Sequence, residues 1–410
     1  MFQFKSALPV AAFVLFHSAI AFGFEDTKVM PKGIRRMHFR MLTTNIDSKT
    51  DQNGSANPLA KPLEKALTFK DMLKGEKDPL KKSLAGAFLD YENFAPSESV
   101  GSFRGDLKGR VTVFAPIAMY GLTDRITLAA AMPIFNMAMS SNLGFEANST
   151  GQRFLDTLAN PYNNQIPSAR ETGGKINNAV GQLNQKLVDN GYRPVGNWKT
   201  TGPGDLTLIA KTRVFDAQVI AGALTGSVAV PTGRTDDPDN LLDKGFGDGQ
   251  WDLALGATVD EPIFRTGLTA NQFFRYTNQL PGQKTVRLIT EEESIEVGKQ
   301  KVTFKPGDKI ETGTSLQFET ALGFNGGVGY MLTDKQSDLY KAGVSSAKLA
   351  ENTNERAHEA SVELGYSAIP AFKRGEVPVP FDTKFSYKRQ LSSRNSAVTH
   401  FIQLDTGVFF

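Results

Sequence analysis

The feature that most restricts this chain is a two-residue alternation that recurs in segments of about ten residues, charge or polarity on one parity and apolar side chains on the other. Met37, Phe39 and Met41 alternate with Arg36, His38 and Arg40, and Trp251, Leu253, Leu255, Ala257 and Val259 with Asp252, Ala254, Gly256 and Thr258. Ala360, Val362, Leu364 and Tyr366 alternate with Glu359, Ser361 and Glu363, and Val379, Phe381, Thr383, Phe385 and Tyr387 with Asp382, Lys384, Ser386 and Lys388. A strand of this kind meets lipid on one face and water on the other, and its repetition marks an all-β fold, an antiparallel transmembrane β-barrel. A soluble sandwich alternates too, but its loops need not be short at one end and long at the other. Here short turns at 121–124, 216–218, 262–266 and 370–377 alternate with connections at 44–102, 141–203, 234–249 and 281–312. The total is about twelve strands, with termini and short turns in the periplasm and the long loops outside.

One stretch requires arbitration. From Leu316 to Leu332 the apolar residues keep even parity, so a hairpin at Gly326-Gly327 is rejected and one long strand is read there. It runs into Tyr330 to Lys335, read as a turn that echoes Tyr120 to Arg125, with a return strand near 336–345.

Composition removes rival classes. There is no cysteine, which excludes disulfide frameworks, thiol nucleophiles and zinc-cysteine sites. With 46 basic and 43 acidic residues the net charge is +3, which does not suggest a nucleic-acid partner. Beyond the N-terminus no apolar run reaches the roughly 18 residues of a spanning helix. The N-terminus reads as an export signal: Lys5, the apolar stretch Ala7 to Phe16, then Ala19-Ile20-Ala21 before a cleavage site. Residues 1–21 are thus a signal peptide cleaved after Ala21, and 22–410 form a single barrel domain.

The last strand places Ile402, Leu404, Val408 and Phe410 on one parity. It resembles the C-terminal signal of bacterial outer-membrane barrels, which implies that Phe410 and Val408 are read by the barrel-assembly machinery. Other stretches resemble the outer-membrane family of the phenol meta-cleavage pathway, itself similar to FadL-type hydrophobic-compound channels. They are Tyr120 to Arg125 with Met132-Pro133, Gly204-Asp205-Leu206-Thr207-Leu208, Val230-Pro231-Thr232-Gly233, and Gly247-Asp248-Gly249-Gln250-Trp251-Asp252-Leu253. They cover strands from about 103 to 262, roughly two fifths of the chain, each only moderately specific. The resemblance implies an outer-membrane barrel for hydrophobic or aromatic compounds. Only about a dozen residues separate the cleavage site from the first strand, so a FadL-like N-terminal hatch in the lumen is not expected.

Strand parity predicts Arg36, His38, Arg40, Lys108, Arg110, Lys211, Arg213 and Arg275 inside the barrel, balanced by Asp252, Asp260, Glu319, Glu359, Glu363 and Asp405. Closure of the first strand on the last brings Arg36 or His38 near Asp405. The region 107–140 departs from the two-sided rule. Leu107, Val111, Val113, Ile117 and Met119 read as lipid-facing, leaving Phe114, Pro116, Pro133, Phe135, Met137 and Met139 as an apolar path on the inner face. Two uses of that face compete: a strip for a hydrophobic solute, or a surface covered by a folded-in loop. Pro116 and Pro133 cannot donate to the ladder, so they mark a bulge or a lateral opening.

Helical spacing is evident in Gly174 to Asn190 and less cleanly around Leu63, Ala66, Leu67, Phe69, Met72 and Leu73; these long loops are caps or plugs, with 62–94 the better plug candidate. Asp236, Asp237, Asp239 and Asp248 lack calcium-loop spacing and read as a solvated loop. No P-loop, dinucleotide fingerprint, metal spacing or nucleophile motif accompanies His38, His358 and His400, so neither an enzyme nor a cofactor is expected. The reading is an outer-membrane channel passing small hydrophobic or aromatic molecules by diffusion, with outer-membrane lipid and the assembly machinery as partners. Its alternative is a structural or surface-interaction barrel with a plugged lumen.

Overall fold

The computed structural model describes residues 26–74, 76, 78–263, 266–288, 298–343 and 346–410; the expected signal peptide, 1–21, lies outside them. Seventeen strands carry the description. They are β1 (Arg35–Ile46), β2 (Ser99–Thr123), β3 (Ile126–Ala131), β4 (Ile134–Ala147), β5 (Trp198–Pro203), β6 (Leu206–Ala217), β7 (Ile220–Val230), β8 (Asp252–Ile263) and β9 (Leu268–Gln279), followed by β10 (Gly282–Leu288), β11 (Gly298–Lys305), β12 (Lys309–Glu319), β13 (Phe324–Lys335), β14 (Leu339–Lys341), β15 (Glu355–Ser367), β16 (Phe381–Arg394) and β17 (His400–Phe409). The wall strands pair antiparallel with their neighbours in the sheet, β10, β11 and β14 form a separate sheet, and β1 closes the wall by pairing with β17 (Arg40 opposite Asp405) and with β2 (Phe39 opposite Pro116). Counting β3 with β4, and β5 with β6, as single interrupted strands, the wall is a closed antiparallel barrel of 12 strands. Closure leaves no edge whose backbone groups would face hydrocarbon unpaired.

Parity holds on most strands. Ile402, Leu404 and Val408 are outward while Gln403 and Asp405 are buried inside. Between β12 and β13 the one-strand reading is corrected: the chain turns at 320–323, where the Thr320 N–H donates to the Phe324 carbonyl at 2.8 Å. Gly323 there has φ +97°, and a Cβ would lie 2.0 Å from the Ser367 carbonyl oxygen. The pairing joins residues of like parity, Leu316 with Val328 and Phe318 with Gly326. Even residues therefore stay outward through the turn, which is why periodicity could not see it. The region 330–335 belongs to the opposite, long-loop end. The expected return strand near 336–345 is replaced by the short β14, which pairs with β11 outside the wall.

Above the barrel, the β2–β4 hairpin continues to Gly101 opposite Ala147, well past the last β1 pairing at Gly109. Helices α1 (Pro79–Tyr91), α2 (Ser149–Thr157), α3 (Pro167–Asn177) and α4 (Ala179–Asp189) pack on this projection. Phe69, Phe88, Phe94, Phe154, Leu183 and Leu187 form their shared core with Val100 and Phe103 of β2. The two long loops thus build one cap at the long-loop mouth, and the segment 62–94 is part of it rather than a lumen plug. The expected helix from 174 to 190 is broken at Asn178 into α3 and α4.

Candidate channel lumen

One side of the inner wall is apolar. Val111, Val113 and Ala115 on β2, Phe135 and Met137 on β4 and Leu42 on β1 are buried and inward. This corrects the sequence reading of β2. Register with β1 puts the odd residues inside and leaves Phe114 (42% exposed) and Pro116 on the outer face, where Phe114 stacks on Phe39 with centroids 5.8 Å apart. Both faces are apolar here, so hydrophobicity alone does not choose between registers one residue apart, and such a slip exchanges the faces. Lys108 and Arg110 move outward for the same reason: they are exposed, Lys108 beside Asp106 (2.8 Å) and Arg110 donating to Asn45 (3.1 Å). Pro133, Phe135, Met137 and Met139 keep inward parity. The two prolines leave the β2–β3–β4 register intact, since Ile117 pairs with Ala131 and Phe114 with Ile134.

The apolar wall is covered. Phe246, on the loop between β7 and β8, lies 5.3 Å from the Phe135 ring at an interplanar angle of 3° and is only 1% exposed. The Arg234 guanidinium sits 4.9 Å from the Phe246 ring and donates to both oxygens of Asp243 (2.5 and 2.8 Å). Three motifs far apart in sequence meet at the base of this loop. Thr232 Oγ1 donates to the Gly204 carbonyl (3.0 Å), and the Gly233 N–H donates to Asp205 (2.8 Å). A Cβ on Gly247 would stand 2.4 Å from the Asp205 carboxylate, and one on Gly204 2.5 Å from the Phe135 ring, so both glycines are needed for close approach.

The outer part of the loop is ion-paired rather than solvated. Asp239 accepts from Arg287 on β10 and from Lys299 on β11 (2.7 Å), and Asp237 pairs with Arg193 (3.1 Å). Arg287 also donates to the carbonyls of Asn190 and Gly191 and covers the Tyr192 ring at 4.0 Å, joining loop, hairpin and cap. Partial burial opposes ionisation of Asp239, but Lys299 and Arg287 outweigh it and hold the carboxyl below its ordinary 3.8. Among the described residues no group of three or more acids and histidines has metal-holding geometry.

The other side of the wall is ionic. Asp405 on β17 is met by Arg40 Nε (2.7 Å), His38 Nε2 (2.9 Å) and Gln403 (2.5 Å). Arg36 turns instead to Asp382 (2.6 and 2.8 Å) and reaches His38 Nδ1 (2.9 Å). Because a guanidinium only donates, Nδ1 accepts and Nε2 carries the proton that His38 gives to Asp405. Arg275 pairs with Glu311 (3.3 Å) and Lys384 with Glu363 (3.0 Å), both cross-strand.

Lys211, Arg213 and Glu319 are also inward, and with Asp260 they hold a segment that sequence reasoning had dismissed. Residues 26–34 cross the lumen near the short-turn end. Asp26 binds Lys211 (2.8 Å), Thr27 donates through N and Oγ1 to Asp260 (2.8 and 2.7 Å), and Lys28 binds Glu319 (2.7 Å). Arg213 Nε donates to the Thr27 carbonyl (3.2 Å), Met30 N–H to Thr127 (2.7 Å) and Lys32 N–H to Asp124 (2.9 Å). The expectation that no material exists for an N-terminal obstruction is therefore wrong. Nine residues suffice because extended chain covers about 3.3 Å per residue, enough to span a twelve-stranded lumen. Burial opposes ionisation of Asp26, yet Lys211 and Lys28 keep its carboxyl below 3.8. Phe246, placed between Gly245 and Gly247, carried a signal that was overlooked: an apolar ring flanked by residues that permit close packing.

No protein-family model matches the chain, and no curated protein does so. Solved structures do. An outer membrane channel from Pseudomonas putida F1 aligns over 95% of this chain and 100% of its own, at 12% identity and a TM-score of 0.53. At that identity the likeness shows the fold, that of an outer-membrane β-barrel. The CymD monoaromatic hydrocarbon channel aligns over 100% of this chain and 99% of its own at 11% identity, but its TM-score of 0.34 adds nothing to that.

Proposed function

We propose that this chain is an outer-membrane channel that lets small hydrophobic or aromatic molecules diffuse through, described here with both ends of its lumen covered. The observation that carries this reading is the apolar inner wall: a water-filled pore does not call for Val111, Val113, Phe135 and Met137 on one side. In the described conformation Phe246 occupies that wall, and a solute ring would replace it there. The sequence resemblance to hydrophobic-compound channels agrees, as does a fold shared with a structure described as an outer membrane channel. The ionic wall pairs its charges internally and is read as scaffold.

Export through the N-terminal signal and assembly through Phe410 belong to the same reading; loss of Phe410 should lower the yield of heat-modifiable barrel. Liposome uptake of an uncharged aromatic solute, compared with a sugar of similar size, tests the function. Preferential uptake of the aromatic supports it. No uptake and no conductance, even in a variant lacking residues 26–32, would leave a structural or surface-interaction barrel. Exposed Leu80 (68%), Leu84 (50%) and Tyr91 (80%) on α1 are the feature that favours this second reading.

A further inference from the structure

Outward residues of β15, β16 and β17 change character toward the long-loop end. Beyond Val362, Tyr387 and Ile402 basic residues enter the outward face, His358 and Arg356 on β15, Arg389 and Arg394 on β16 and His400 on β17, with Ala360, Leu391 and Ser392 between them. No outward position of these three strands carries Asp or Glu. The neighbouring Asp334 on β13 is already engaged by Arg356 through Nε at 2.7 Å.

Arg389 and Arg394 are exposed and bond to no other side chain among the described residues. The ladder sets Arg394 opposite Arg356, whose charge Asp334 answers, and Arg389 opposite His400, so neither exposed guanidinium faces a carboxylate across the strands. Directly opposed like charges such as Arg356 and Arg394 weaken a sheet. Two guanidinium forks at the edge of the apolar band suit phosphate, which they bind in bidentate fashion.

We propose that this patch binds the phosphate monoesters of a diphosphorylated outer-leaflet glycolipid, with acyl chains lying down the apolar faces of β15–β17. The inference rests on the outer-membrane reading but not on the channel: the residues face away from the lumen. The test uses the full mature protein in detergent, with lipid retention followed by native mass spectrometry. Diphosphoryl lipid A should bind saturably, and its fully dephosphorylated form should not. Affinity should fall about fivefold in Arg394→Gln and about 25-fold in Arg389→Gln/Arg394→Gln, about fivefold per cation at a membrane surface. Equal retention of both lipids, or equal affinity of wild type and double variant, overturns the proposal. Displacement of the lipid by millimolar inorganic phosphate would mark a free-phosphate site and overturn the lipid assignment. If the double variant does not assemble, the lipid pair on the wild-type protein decides. Conductance measured on the same preparations should be equal in both proteins, which separates this result from the channel reading.

Discussion

At the short-turn end the lumen is crossed by residues 26–34, held by hydrogen bonds and ion pairs to the wall. At the long-loop end it is covered by Phe246, held by ring stacking on an apolar surface. The two closures rest on different physics. Polar contacts in a wet lumen exchange for water at little net cost: Lys28 and Glu319 remain 68% and 54% exposed, so that pair contributes little. Thr27 on the buried Asp260 is the stronger anchor, since a hydrogen bond to a charged group contributes about 1.5–3 kcal/mol. Displacing Phe246 instead exposes a ring and an apolar wall together, and only an apolar replacement recovers that loss. The N-terminal segment is thus sensitive to salt and acid, and the loop to the hydrophobicity of what displaces it.

The largest effect that would break this contrast is expected from Phe246→Ala. Truncating a buried Phe costs about 3–5 kcal/mol, which shifts the loop toward its undocked state by a hundredfold or more. Liposome uptake of an uncharged aromatic solute should rise accordingly, while accessibility of the N-terminal segment stays as it was. Asp260→Ala should do the converse, releasing residues 26–34 by about 2–3 kcal/mol. The chain has no cysteine, so a Val29→Cys reporter, which leaves the Thr27–Asp260 contact intact, can be labelled cleanly with a charged maleimide. Unchanged labelling would mean that the anchor lies elsewhere.

Arg287→Gln removes one of the two partners of Asp239, leaving Lys299, and the cation over Tyr192. A loosening of about 1–2 kcal/mol is expected, seen as more frequent opening in single-channel records and diminished at high salt. The smallest effect is that of pH. Asp26 and Asp239 are depressed below 3.8, so their stabilisation is fully present above that value and is lost as pH falls further. Conductance should begin to rise only below about pH 3.8, and Phe246→Ala should respond to acid no less than wild type. A rise beginning near neutrality would assign the control to histidine instead.

The sequence was readable where the two faces of a strand differ. On β1 and β17 charge and apolarity alternate cleanly, and the inward placement of Arg36, His38, Arg40 and Asp405 followed from parity. On β2 both faces are apolar, and the pattern carried no information about which was inside; the pairing of Phe39 with Pro116 did. At β12–β13 a same-parity register concealed a hairpin. Phe246 and Thr27 escaped notice because neither lies in a strand: each acts by reaching a wall built from residues far along the chain.

Alternation, loop asymmetry and the run of outward apolar residues determine by themselves that this chain closes into a barrel, because each strand has one face suited to lipid and no backbone edge can be left open there. Tertiary structure decided what the barrel holds. Which side of β2 lines the lumen, which aspartate meets which arginine, and which loop and terminus enter the interior depend on register and closure. Those are set by contacts between residues far apart in the chain, such as that of His38 with Asp405 across 367 positions, and local patterning does not encode them.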